Sequence, residues 1–102
     1  QMQGVVYSLC KGGVIGFTKA LAREVARFQI NVNCICPGPT DTQLYAEAIT
    51  PKIKEAFVQI IPLKRIAKPE EVAAGVAFFA SPDADYVTGQ VLSVSGGLTM
   101  AG

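Results

Sequence analysis

The stretch Ile30-Asn31-Val32-Asn33-Cys34-Ile35-Cys36-Pro37-Gly38-Pro39 decides the fold. Its first seven residues are mostly apolar and rich in β-branched types. Pro37-Gly38-Pro39 then stops the run, because proline lacks an N–H and glycine adds backbone freedom. This reads as a short buried strand over 30–36 closed by a sharp turn.

Upstream, Cys10, Val14, Phe17, Leu21, Val25 and Phe28 recur every three or four residues, which predicts a helix from about Val6 to Phe28. Gly12, Gly13 and Gly16 each weaken that helix by about 1 kcal/mol relative to alanine. Three such residues so close together lead us to expect another backbone packed against them. Downstream, Thr40-Asp41-Thr42 can cap a short helix over 43–49. Thr50-Pro51 is an N-cap followed by a first-turn proline, opening a helix that Pro62 ends after Ile61. Lys68-Pro69-Glu70-Glu71 starts a helix over 69–80, its acids favoured by the helix dipole. Val72, Val76 and Phe79 share one face of that helix, with Ala and Gly around them, which suits close packing on a sheet. A second strand, Gln90 to Val94, ends at Gly96-Gly97.

Two strands separated by a helical crossover make a right-handed βαβ unit with parallel neighbours. Parallel sheets are buried on both faces, so two strands alone leave edges and apolar faces open. The chain therefore reads as α/β, the C-terminal part of a larger doubly wound sheet in the order helix, strand, helical insert, helix, strand. It is not expected to fold well alone.

Composition narrows the function. The 102 residues are half hydrophobic, with net charge +1, three cysteines and no histidine. Near-neutral charge gives no reason to expect nucleic acid or an anionic membrane as partner. The longest apolar stretch, Val72 to Ala80, is far shorter than the roughly 20 residues that span a bilayer, and no segment reads as a secretory signal. Without histidine, Ser-His-Asp and Cys-His catalysis and the usual zinc sites are excluded from this segment. Cys10, Cys34 and Cys36 lack metal spacing and read as reduced, structural thiols of a cytoplasmic protein.

Two features carry chemistry. Tyr7 and Lys11 lie four apart at the start of the first helix and share a face. A lysine ammonium favours the ionised form of a nearby phenol, and such a tyrosine can exchange a proton with a carbonyl or an alcohol. Alone, the pair is as consistent with an exposed amphipathic face, since chance supplies one in roughly one chain in five of this length. The second feature is Pro37-Gly38-Pro39-Thr40-Asp41-Thr42, just beyond the carboxyl end of a strand, where parallel sheets bind ligands. Alone, it is as consistent with an ordinary capped turn.

The order of these parts resembles a known family. Tyr7-Ser8-Leu9-Cys10-Lys11-Gly12-Gly13 is similar to the YxxxK box of the short-chain dehydrogenases/reductases, with Leu9 and Cys10 at variable positions. Asn31 to Gly38 resembles the family's sixth strand and its Pro-Gly turn. Pro62-Leu63-Lys64-Arg65-Ile66, Pro69-Glu70-Glu71-Val72-Ala73 and Tyr86 to Gly97 resemble its C-terminal blocks, in order. The likeness covers the chain from Tyr7 onward and makes residues 1–102 the C-terminal portion of one Rossmann-fold domain.

The resemblance implies an oxidoreductase that uses NAD or NADP to interconvert a secondary alcohol and a ketone. Tyr7 would be the catalytic acid/base, and Lys11 would hold the nicotinamide ribose and keep the phenolate accessible. Pro37, Gly38 and the backbone of Thr40 would line the nicotinamide, Thr40 would bond its carboxamide, and Thr42 the carboxamide or the pyrophosphate. No metal is implied. Residues 43–61 would be the substrate lid. Helix 69–80 and strand 90–94 would build one interface of a homotetramer and the first helix the other. The family's glycine-rich turn and catalytic serine precede the tyrosine, and only six residues precede Tyr7 here. We therefore expect a partial record of a longer protein, the alternative being an inactive truncated form that only assembles with partners. Within the family, residues 36–42 and 88–100 look most like 2-hydroxycyclohexanecarboxyl-CoA dehydrogenases, which oxidise a 3-hydroxyacyl thioester. The 3-oxoacyl-carrier-protein reductases are the alternative.

Overall fold

The computed structural model describes residues 2–100, apart from the side chains of residues 2–7, 10 and 45. Helix α1 runs Met2–Val25 and tightens into a 3-10 turn, Ala26–Phe28, that ends on Gln29 in the left-handed region at φ 59°. Strand β1 is Cys34–Pro37, followed by helices α2 (Gln43–Ala48), α3 (Pro51–Ile60) and α4 (Pro69–Ala80). A second 3-10 turn, Pro82–Ala84, leads towards strand β2, Val91–Val94.

The two strands are parallel neighbours, with Cys34 opposite Val91 and Pro37 opposite Val94. The crossover between them carries α2, α3 and α4, as the spacing of the two apolar runs predicts. The ladder is extended by Cys34 N–H donating to Gln90 O and Gly38 N–H to Val94 O, both at 2.9 Å. In a parallel pair alternate residues face the partner, so the N–H that Pro37 lacks belongs to the opposite edge of β1. That is why a proline sits inside the strand rather than beyond it.

Strand β1 starts at Cys34, not Ile30, because side chains take over the pairing before it. Asn33 Nδ2 donates to Val87 O at 2.9 Å, and Gln90 N–H donates back to Asn33 Oδ1 at 3.0 Å. Val32 N–H donates to Thr88 Oγ1, and Gly89 N–H donates to Val32 O. Asn31 Nδ2 reaches Ala84 O and Asp85 O. Residues 31–33 thus run beside 84–90 without forming a regular ladder.

Helix α4 packs against both strands, and α1 approaches the residues that lead into β2. A Cβ on Gly75 of α4 would lie 3.1 Å from Ile35, 3.4 Å from Val94 and 3.6 Å from Leu92, so this glycine lets α4 settle onto one face. Helix α1 makes its approach through Ala22, whose Cβ lies 3.4 Å from the position a Cβ on Gly89 would take. The buried apolar residues are Ala22, Cys36, Ile61, Ala84 and Val91. The expected close packing at Gly12, Gly13 and Gly16 is corrected: among the described residues nothing comes within 4 Å of a Cβ built there. The contacts of α1 fall later, at buried Thr18 and Ala22, which leaves the glycine stripe facing outward.

Candidate active site

The carboxyl end of β1 delivers the chain into residues 38–42, and local chemistry shapes that loop. A Cβ on Gly38 would stand 2.9 Å from both Cα and Cβ of Ser95, so only glycine admits the end of β2 this closely. Thr40 Oγ1 donates to Gly38 O at 2.9 Å, and Thr42 N–H donates to Thr40 O at 2.9 Å, curling the loop. Thr42 O then accepts from Ala46 N–H as α2 begins. A parallel bridge joins Thr40 to Ala67: Ala67 N–H donates to Pro39 O at 3.1 Å and Asp41 N–H to Ala67 O at 2.8 Å.

Gly38, Thr40 and Thr42 therefore lie on one curled loop directly after Pro37, the last residue of β1. Lys11 is half-buried on α1, one turn beyond Tyr7. Its charge acts on Cys36: burial raises the Cys36 thiol pKa most, Cys34 adds to the rise, and the Lys11 ammonium opposes it. The backbone of Tyr7 belongs to α1, and its side chain lies outside the described residues.

Across the loop, residues 61–65 dock on the Gly96-Gly97 turn, with Ile61 fully buried and Leu63 N–H donating to Gly96 O at 3.0 Å. Gly96 and Gly97 have φ of 65° and 93°, and a Cβ on either would press into Ile61 or Pro62. A cleft of about 470 Å³ opens there, lined by Pro39, Leu63, Arg65, Ala67, Glu71 and residues 93–97 among others. The Arg65 guanidinium grips Glu71 and, with the Lys68 N–H, lowers the Glu71 carboxyl to about 2. A carboxylate held below its unfolded value contributes stability that is present above that value and lost as pH falls towards about 2. Reading the sequence alone missed Ser95, Arg65 and Glu71 as neighbours of the loop. The only signal for Ser95 was a glycine wedged between two prolines.

The loop offers a side-chain-free turn at Gly38 and two threonine positions at the carboxyl end of a parallel strand. Those groups suit a neutral, hydroxyl-rich ligand with an amide, and the ribose and nicotinamide half of a dinucleotide has that chemistry.

A family model described as enoyl-(acyl carrier protein) reductase matches residues 1–99. The chain belongs to the short-chain dehydrogenase/reductase family. It is 45% identical over 92 residues to a 3-oxoacyl-[acyl-carrier-protein] reductase of Chlamydia trachomatis, covering 90% of this chain and 37% of that protein. An acetoacetyl-CoA reductase of Acinetobacter is 49% identical over 94 residues, covering 92% and 38%. The crystal structure of a 3-oxoacyl-[acyl-carrier protein] reductase from Brucella melitensis superposes with a TM-score of 0.87 at 38% identity, covering 93% of this chain and 35% of that one. The chain thus spans less than two fifths of each of these three relatives, and its two strands are part of a Rossmann-type α/β sheet.

Proposed function

We propose that the protein carrying this chain interconverts a 3-oxoacyl thioester and its 3-hydroxyacyl form with NAD or NADP. What supports this reading is the loop closed against Ser95 and Ala67 directly after β1, in a chain that carries Tyr7 and Lys11 one helical turn apart on α1. The three relatives described above are named for reduction of a 3-oxoacyl group, on carrier protein in two cases and on CoA in the third. The shared chemistry is a ketone one carbon removed from a thioester, which includes the cyclic hydroxyacyl-CoA substrates that the sequence suggests.

When bound, the nicotinamide supplies hydride to the ketone carbon or takes it from the alcohol. Tyr7 gives the balancing proton to the ketone oxygen in reduction and recovers it in oxidation. Lys11 holds the ribose hydroxyls. Pro37, Gly38 and the Thr40 backbone line the ring, and Thr40 and Thr42 bond the polar groups that flank it. Residues 43–61, largely exposed, serve as the lid over the acyl chain. We assign the protein to the cytoplasm on its free thiols. The outward glycine stripe of α1 and the exposed apolar residues of α4 and β2 are the two faces of the homotetramer.

The test uses the protein carrying this chain with acetoacetyl-CoA as substrate. Tyr7→Phe should lower kcat by about 10²–10⁴-fold while cofactor binding persists. Retention of more than about a tenth of the wild-type rate would remove Tyr7 from the acid/base role. Lys11→Ala should weaken dinucleotide binding as well as turnover, and unchanged affinity would argue against its ribose contact.

A further inference from the structure

Arg65 and Glu71 have no part in the reading above, yet they meet with paired geometry. Arg65 Nη1 donates to Glu71 Oε1 at 2.6 Å and Nη2 to Oε2 at 2.7 Å. The same Oε1 accepts the Lys68 N–H at 2.9 Å. The two side chains are 53% and 38% exposed, and an ion pair so open to water adds little to global stability. A two-bonded guanidinium–carboxylate contact does fix geometry, because both planes must align.

What it fixes is a short segment with a defined cargo. Leu63 N–H on Gly96 O anchors one end of residues 63–68, and the Glu71 carboxylate anchors the other through Arg65 and Lys68. Ala67 lies inside that span, and its two backbone bonds bracket Thr40 by reaching Pro39 O and Asp41 N–H. Pro39 has no N–H with which to hold itself. From Gly38 onward the loop is tied back to the fold through the Ala67 bridge, which lies between the Leu63 and Lys68 anchors.

We propose that Arg65 and Glu71 are positioning residues for nicotinamide recognition, holding the 38–42 loop in register through Ala67. This rests on the function proposed above. Neither residue touches the cofactor. Loss of either lets residues 65–68 drift, the Thr40–Ala67 bridge loosen, and the Thr40 backbone leave its place.

The experiment measures two quantities on the protein carrying this chain, with Arg65→Ala, Arg65→Lys and Glu71→Gln. One is NADH and NADPH affinity by fluorescence titration. The other is hydrogen exchange at the Asp41 and Ala67 amides, with the Cys34 and Gly89 amides, bonded to Gln90 O and Val32 O, as controls outside the loop. Arg65→Ala and Glu71→Gln should weaken the preferred dinucleotide about tenfold, since small misplacements of recognition groups carry costs of that order. They should also speed exchange at Asp41 and Ala67 about tenfold or more while the controls hold. Arg65→Lys keeps the charge without the fork and should fall between Arg65→Ala and wild type in both readouts. Affinity within about twofold of wild type, or equal acceleration at all four amides, overturns the positioning role. A wild type that binds neither dinucleotide overturns the function reading and this one with it. A wild type that binds while its variants match it overturns this one alone.

Discussion

Tyr7, Lys11, Pro37, Gly38, Thr40 and Thr42 could be picked out by residue type and spacing, because each sits in a short motif. Their standing as one site is a different matter, since Lys11 and Gly38 are 27 positions apart in the chain. Ser95, Arg65 and Glu71 are ordinary residues in ordinary blocks, and only folding sets them against the loop. Gly38 shows how tight that fit is. Gly38→Ala would place a methyl 2.9 Å from the Ser95 backbone, which cannot step aside as a flexible side-chain tip can. Overpacking of this kind costs about 1–3 kcal/mol, so we expect a lower thermal midpoint together with weaker dinucleotide binding. A variant with both unchanged would show that β2 does not press on the loop.

Among the elements, helix α4 was fully legible: its proline, its acids and its Ser81-Pro82 stop coincide with the observed ends, Pro69 and Ala80. Helix α3 was nearly so, with Thr50 Oγ1 accepting the Ile53 N–H as its cap. Strand β1 was legible in kind but not in length. Asn31 and Asn33 replace backbone pairing with amide side chains, and no propensity separates an asparagine that extends a strand from one that substitutes for it. Asn33 carries both halves of its exchange, to Val87 O and from Gln90 N–H. Asn33→Ala should leave both groups without that partner and cost about 1–3 kcal/mol. Asn33→Asp keeps the acceptor for Gln90 N–H but sets a carboxylate oxygen against Val87 O, so it should not restore the loss, and denaturant midpoints equal to wild type in both variants would refute the exchange. The glycine stripe of α1 was misread for a related reason. Glycine spacing reports where a close neighbour is tolerated, and within this chain none takes the place.

For the whole molecule, the chain exposes 7431 Å², against about 5,500 Å² for a compact protein of its mass. Its radius of gyration is 15.4 Å, where a compact chain of this length would have about 13 Å. Phe17 is 66% exposed, Val76 53% and Leu9 71%, and one edge of β1 has no strand beside it among the described residues. Residues 1–102 expressed alone should therefore be marginal. We expect them to bind a hydrophobic dye and to unfold without a sharp transition. A cooperative transition worth more than about 5 kcal/mol would contradict this.

The order of helices and strands, their parallel pairing and the four-residue spacing of Tyr7 and Lys11 with the strand-end turn follow from local patterns, since period, capping and turn chemistry are written within a few residues of where they act. Which residues stand behind that turn was settled only by the tertiary structure. Contact between Gly38 and Ser95, or between Ala67 and the peptides flanking Thr40, depends on how a crossover of more than fifty residues returns to the sheet. No local pattern encodes that distance.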